Sequence, residues 1–160
     1  MTDWKGLWNK YKPIVLQVVV ALLAGGLASL LGGNTTSLYG RLISPPLAPP
    51  GWVFPVVWTI LYVLMGIAAG IVVKSEDVDS GKAMTLYYLQ LGLNVLWPLL
   101  FFRLEWISLA AVWLLLLTAA VYATWQRFRE INAVAGWLLV PYLLWCVFAL
   151  YLNVGFAVLN

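Results

Sequence analysis

The chain has 160 residues, 64% of them hydrophobic and 9% charged, with ten tryptophans, no histidine and a single cysteine. A soluble domain is about half apolar and about a quarter charged, so this composition belongs to a polytopic membrane protein. The net charge of +3 comes from scattered basic residues, which excludes nucleic acid as a partner, while lone Cys146 and the missing histidines exclude an intrachain disulfide, a thiolate or imidazole metal site and catalysis by a histidine base.

The predicted fold class is an all-α membrane protein, a five-transmembrane-helix bundle forming one domain over residues 1–160. Its spans cover about 13–32, 52–73, 83–102, 105–126 and 133–157, each long enough for roughly 30 Å of hydrocarbon. The basic start MTDWKGLWNKYK imitates a signal-peptide n-region. The apolar run behind it is of spanning length and no Ala-x-Ala-type cleavage site follows, so a retained first helix is expected. In that helix Ala21, Gly25, Ser29 and Gly33 recur every four residues, a row that lets backbones approach closely.

The first loop, 33–51, is the only connection long enough to fold over the bundle; the others are short and force antiparallel neighbours. It leads into PPLAPPGWVFPVVWTILYVLMG, residues 45–66. Proline fixes φ and removes a donor, so Pro45, Pro46, Pro49 and Pro50 predict a stiff approach, and Pro55 fits the first turn of a helix. Pro45, Leu47, Pro49, Pro50 and Trp52 are expected to form a lid. Beyond it, Trp58, Tyr62 and Met65 form a stripe on the second helix, and Gly66-xxx-Gly70 predicts either a homodimer seam or, preferred with five helices to pack, an internal contact.

On the third helix Gln90, Asn94 and Trp97 share one face by their i, i+4, i+7 spacing, and Pro98 frees the carbonyl of Asn94 beside it. The fifth helix repeats the device, with Pro141 freeing the carbonyl of Trp137 and Tyr142, Trp145 and Ala149 on one stripe. Trp4, Trp8, Trp106 and Trp125 near span ends are expected to be interfacial anchors. No charge lies inside a span, which argues against a proton relay, a voltage sensor or a carboxylate-coupled transporter. Buried amides need partners, so Gln90 and Asn94 should face protein or ligand, and with the aromatic stripes they outline an uncharged pocket. Helix packing alone produces the same spacing for Trp58, Trp97 and Trp145, so packing and ligand contact both stay open.

Seven basic residues (Lys5, Lys10, Lys12, Lys74, Lys82, Arg127, Arg129) flank one side of the spans, and Arg41 and Arg103 the other. The asymmetry predicts a cytoplasmic N-terminus, with the first loop and the C-terminus outside.

Three ordered blocks, PPLAPPGWVFPVVWTILYVLMG, LQLGLNVLWPLLFF and VPYLLWCVFALYLN, resemble the TspO/MBR family, which takes in the tryptophan-rich sensory proteins and the translocator, or peripheral benzodiazepine receptor, proteins. The resemblance covers nearly the whole chain and implies a five-helix bundle, often homodimeric, whose pocket opens toward the first loop. It further implies ligands that are flat and apolar: porphyrins, haem-related tetrapyrroles, sterols and isoquinoline-type drugs. Tyr62, Asn94, Trp97, Trp145 and Phe148 match family positions at or near that pocket. Trp58 matches a tryptophan implicated in porphyrin chemistry in some bacterial members, and Ala149 matches a small residue that lets ligand fit.

The chain also departs from the family. Leu47 stands where many members have an aromatic residue, Val154 stands where some bacterial members carry a second tryptophan, and no Lys or Arg follows Tyr151 to complete the sterol pattern of vertebrate members. Three functions fit: a receptor or carrier for a tetrapyrrole or other apolar small molecule, a light- and oxygen-dependent porphyrin-degrading enzyme using Trp58, or a regulatory partner whose pocket holds membrane lipid. No obligatory cofactor is expected. Without histidine, metal-free porphyrin or face-stacked haem is favoured over ligated haem, and the compact chain suits a bacterial cell membrane.

Overall fold

A computed structural model describes residues 4–160. Six α-helices follow one another: α1 Trp4–Gly32, α2 Thr35–Arg41, α3 Val53–Lys74, α4 Ser80–Pro98 continued by a π-helical turn Leu99–Arg103, α5 Ile107–Ile131 and α6 Ala133–Leu159. All but α2 are long and apolar enough to cross a membrane, α4 with its π turn included. The expected all-α, five-span bundle is therefore the architecture observed. Neighbours close into a ring, α1 on α3, α3 on α6, α6 on α5, α5 on α4 and α4 back on α1. Met65, Tyr87, Gln90, Leu114, Leu139, Tyr142 and Cys146 lie buried inside it.

The α1–α3 seam explains the glycine row. A Cβ on Gly66 would lie 2.7 Å from the backbone nitrogen of Val18, and one on Gly70 would lie 2.9 Å from that of Ile14. The two backbones are in direct contact, so Gly66-xxx-Gly70 serves a contact inside the chain, the first-helix backbone filling it.

Three local features differ from the sequence-based expectation. The first helix begins at Trp4 rather than near residue 13, because hydropathy stops at Lys10 and Lys12 whereas helical hydrogen bonding does not. The first loop contains α2, which buries Leu38 at one end of the bundle; the Thr36 hydroxyl donates to Asn34 Oδ1 at 2.8 Å where the chain turns from Gly33 (φ +68°) into it. At Pro98 the α-helical ladder gives way to a π turn in which Leu104 N–H bonds the Leu99 carbonyl at 2.9 Å. Proline cannot supply the N–H that an unbroken α-helix would aim at Asn94, and widening the turn by one residue re-pairs the groups that follow.

The proline-rich segment is fastened to α6. Pro45 is buried against Gly155, where an added Cβ would lie 2.6 Å from the proline Cβ. Tyr151 hydroxyl donates to the Pro46 carbonyl at 2.8 Å, and the Asn160 side chain accepts from Ile43 N–H at 2.8 Å while donating to its carbonyl at 3.1 Å. Pro46 and Leu47 are the central residues of a turn closed by Ala48 N–H on the Pro45 carbonyl, and Leu47 sits at φ +67°, a conformation that favours glycine.

Candidate ligand-binding site

Above the glycine seam the same two helices diverge. Gly25 faces the Tyr62 ring, 2.6 Å from where a Cβ would stand to Tyr62 Cδ2, and beyond this level aromatic side chains hold α1, α3 and α4 apart. The space between them is a cavity of about 350 Å³. Leu22, Gly25, Gly26, Ala28 and Ser29 of α1 form one wall, Phe54, Pro55, Trp58, Thr59 and Tyr62 of α3 the second, and Asn94, Trp97 and Pro98 of α4 with Phe102 the third. Thr35, Thr36 and Tyr39 of α2 border it at the loop end, with Gly51 beside them. Its lining carries no charged side chain.

The polar groups form two chains of bonds. Tyr62 hydroxyl donates to Asn94 Oδ1, Asn94 Nδ2 donates to the Tyr142 hydroxyl at 2.8 Å, and that hydroxyl donates to Gln90 Oε1 at 2.6 Å. Trp97 Nε1 donates to Asn153 Oδ1 at 2.9 Å, and Asn153 Nδ2 to the Ile107 carbonyl at 2.9 Å. Asn94 and Asn153 thereby both accept and donate, while Gln90 accepts from Tyr142 and turns its Nε2 to Met65 Sδ at 3.9 Å, which offsets the cost of burying these amides and holds the Tyr62 and Trp97 rings in place. Trp58 lies half-buried on the wall, its ring 5.8 Å from that of Tyr62 and 6.1 Å from that of Tyr142.

Of the nine residues singled out on the spans, Trp58, Tyr62, Asn94 and Trp97 line this cavity. Gln90 and Tyr142 lie behind it and hold Asn94. Ala149 lines a small adjoining cleft that shares Tyr39, Phe54, Trp97 and Phe102 with the main cavity. Trp145 and Phe148 line a separate groove between α3 and α6, with Val57, Ile60, Leu61, Leu64, Pro141 and Leu144.

The cover differs from the expected lid. Pro45, Leu47, Pro49, Pro50 and Trp52 do not line the cavity; Leu47 is 82% exposed and Trp52 69% exposed. The covering element is α2, because the proline segment is committed to α6 while Tyr39 folds inward. Tyr39 donates to the Pro49 carbonyl and meets Phe54 edge-on at 5.3 Å, and partial burial raises its hydroxyl pKa above the ordinary value. Arg41 Nη2 meets Glu105 Oε1 at 2.8 Å, tying α2 to the α4–α5 connection. The helix signal for α2 was present in Asn34-Thr35-Thr36, residues that start helices, but the segment is too short to show a periodic apolar face. Ser29 and Gly25 were visible as small residues without anything to say that they faced a void.

A family model described as TspO/MBR family matches residues 15–159. The chain is similar to a tryptophan-rich sensory protein of Cereibacter sphaeroides, 40% identical over 115 residues that cover 72% of each chain. It is similar to the tryptophan-rich protein TspO of Chlorobaculum tepidum, 35% identical over 156 residues covering 90% of this chain and 98% of the relative. The human translocator protein is 38% identical over 124 residues, 76% of this chain and 73% of the relative. With the five-span bundle and a family match running almost from end to end, the chain is a multi-pass membrane protein that belongs to the TspO/MBR family.

Proposed function

We propose that this protein is a membrane receptor or carrier that binds porphyrins and related tetrapyrroles, or other flat apolar ligands, in the cavity beneath α2. The observation that carries the proposal is the uncharged, aromatic-walled cavity itself: about 350 Å³, within the range of about 300–1,000 Å³ typical of small-molecule sites, with Tyr62, Asn94 and Trp97 already paired. Trp58, Tyr62 and Trp97 present ring faces and edges to a macrocycle, and Asn94 with Thr35, Thr36 and Thr59 meets polar edges without imposing a charge. Ala149 extends the floor behind Trp97, and Gln90 and Tyr142 keep Asn94 aimed. Trp145 and Phe148 act from the outer groove, Trp145 by bracing Phe54 at 6.0 Å.

The cavity end of the bundle faces outward in this proposal and the N-terminus lies in the cytoplasm of a bacterial cell. The charge asymmetry supports this, and the Arg41–Glu105 pair leaves the cavity end still poorer in unpaired cations.

Titrating protoporphyrin against tryptophan fluorescence tests the assignment. Saturable quenching that weakens in Trp58→Ala and Trp97→Ala is expected; linear quenching, or saturable quenching that neither substitution alters, sinks it. Light-dependent new absorption bands that need oxygen and vanish in Trp58→Phe would reassign the site from binding alone to degradation, a second reading favoured by the placement of Trp58 on the wall beside two tyrosines.

A further inference from the structure

The antiparallel α1–α3 seam has a register that extends past its glycines. Gly66 meets Val18 and Gly70 meets Ile14, four residues up one helix for four down the other. The next step in the same register sets Lys74, the last residue of α3, opposite Lys10. Both ammonium groups border one ring: Lys10 Nζ lies 5.4 Å and Lys74 Nζ 5.9 Å from the centroid of Tyr11. Packing set by two glycines therefore brings two lysines to the same aromatic ring.

Among the described residues neither lysine forms an ion pair. The three ion pairs among the described residues are Arg41–Glu105, Lys82–Asp79 and Arg127–Glu130, and none includes Lys5, Lys10, Lys12 or Lys74. Of the acidic residues that follow Lys74, Asp79 pairs with Lys82 at 3.2 Å, Asp77 Oδ1 accepts from Asp79 N–H at 2.9 Å, and Glu76 forms no ion pair. Depth in the bilayer indicates what fills the gap. The stretch from Lys12 to Gly32 spans about 30 Å at 1.5 Å per residue, the thickness of the hydrocarbon core, so the lysines emerge at headgroup level. Trp8, 53% exposed, continues the helix at that level as an interfacial anchor.

We infer that Lys10 and Lys74, over the Tyr11 ring, form a binding site for the phosphate of an anionic phospholipid in the leaflet at the N-terminal end of the bundle. The site is independent of the tetrapyrrole cavity, which lies at the opposite end of α1. A free phosphate has the same chemistry; the lipid is favoured because its acyl chains lie along the apolar, exposed flank of α1 formed by Val15, Leu16 and Val19.

Native mass spectrometry of the full chain from micelles holding equal phosphatidylglycerol and phosphatidylcholine provides the test. Preferential retention of phosphatidylglycerol is expected, falling roughly fivefold for each of Lys10→Gln and Lys74→Gln, with Lys82→Gln, already paired, unchanged. Thermal unfolding adds a second readout: replacing phosphatidylcholine by phosphatidylglycerol raises Tm more for the unaltered protein than for the two variants. Equal retention of the two lipids by the unaltered protein, an undiminished preference in the double variant, or the same phosphatidylglycerol gain in Tm for parent and double variant overturns the inference. So does inorganic phosphate that reproduces the phosphatidylglycerol shift, which would make this a free-anion site.

Discussion

Along the α1–α3 pair the same two helices are used in opposite ways. At the N-terminal end of α1, Gly66 and Gly70 bring backbone onto backbone and leave no space. Toward the first loop, α3 carries Tyr62, Trp58 and Phe54 where it carried glycine, and α1 answers with Gly25, Gly26 and Ser29, so the helices stand apart around a cavity. The closed end gives the pair its rigidity, and that rigidity holds the open end open. A ligand site in a bundle without charges needs such a device, because apolar side chains would otherwise close on one another as readily as on a guest.

The largest effect should come from breaking the closed end. Gly66→Val or Gly70→Val drives side-chain atoms into the α1 backbone, which has no rotamer by which to yield, so each should destabilise by about 3 kcal/mol or prevent folding. Unfolding in mild detergent checks this, and a variant as stable as the parent would mean that the seam is looser than described. Next in size is Asn94→Ala, which strands the Tyr62 hydroxyl and leaves Tyr142 only its bond to Gln90, at a cost of about 1–3 kcal/mol. Replacement by aspartate would be worse, since a carboxylate there has no cation to meet.

Gly25→Ala probes the boundary between the two ends. Its methyl meets the Tyr62 ring, which has the cavity beside it to move into only by straining its bond to Asn94, so about 1 kcal/mol should be lost while porphyrin affinity drops severalfold in the fluorescence titration. Equal loss of stability and affinity would show that Tyr62 cannot move. Leu47→Gly should act in the other direction, stabilising by about 1 kcal/mol because glycine adopts φ +67° without strain and the leucine side chain packs on little. The smallest effect belongs to Arg41→Gln: an exposed pair contributes under about 1 kcal/mol, so binding at equilibrium should barely change. Ligand association and release, followed by stopped-flow quenching, should quicken as α2 loosens, and added salt should mimic the substitution in the parent protein.

Much of this was legible in the residues. Span number, the internal use of Gly66-xxx-Gly70, the buried pairing of Gln90 and Asn94 and the break at Pro98 follow from rules that act within one helix: apolar length, small-residue spacing, the cost of an unpaired amide, the missing proline N–H. Trp58, Tyr62, Asn94 and Trp97 could be grouped for the same reason, since helical spacing sets which side chains share a face. Trp145 shares its stripe with Tyr142, yet Tyr142 turns into the bundle and Trp145 toward the α3–α6 groove, because a stripe is wider than the contact it serves.

What the sequence determined by itself is a chain of five uncharged membrane helices with a polar, aromatic centre and a long first connection. Tertiary structure alone decided that α2, and not the proline run, borders the cavity, because Gly155, Tyr151 and Asn160 capture that run at the far end of the chain. It also decided where the helices part, since a void depends on the register between two helices. That register is written in neither one: the step of four that seats Gly66 on Val18 and Gly70 on Ile14 sets Lys74 beside Lys10 at one end and leaves Trp58 facing open space at the other.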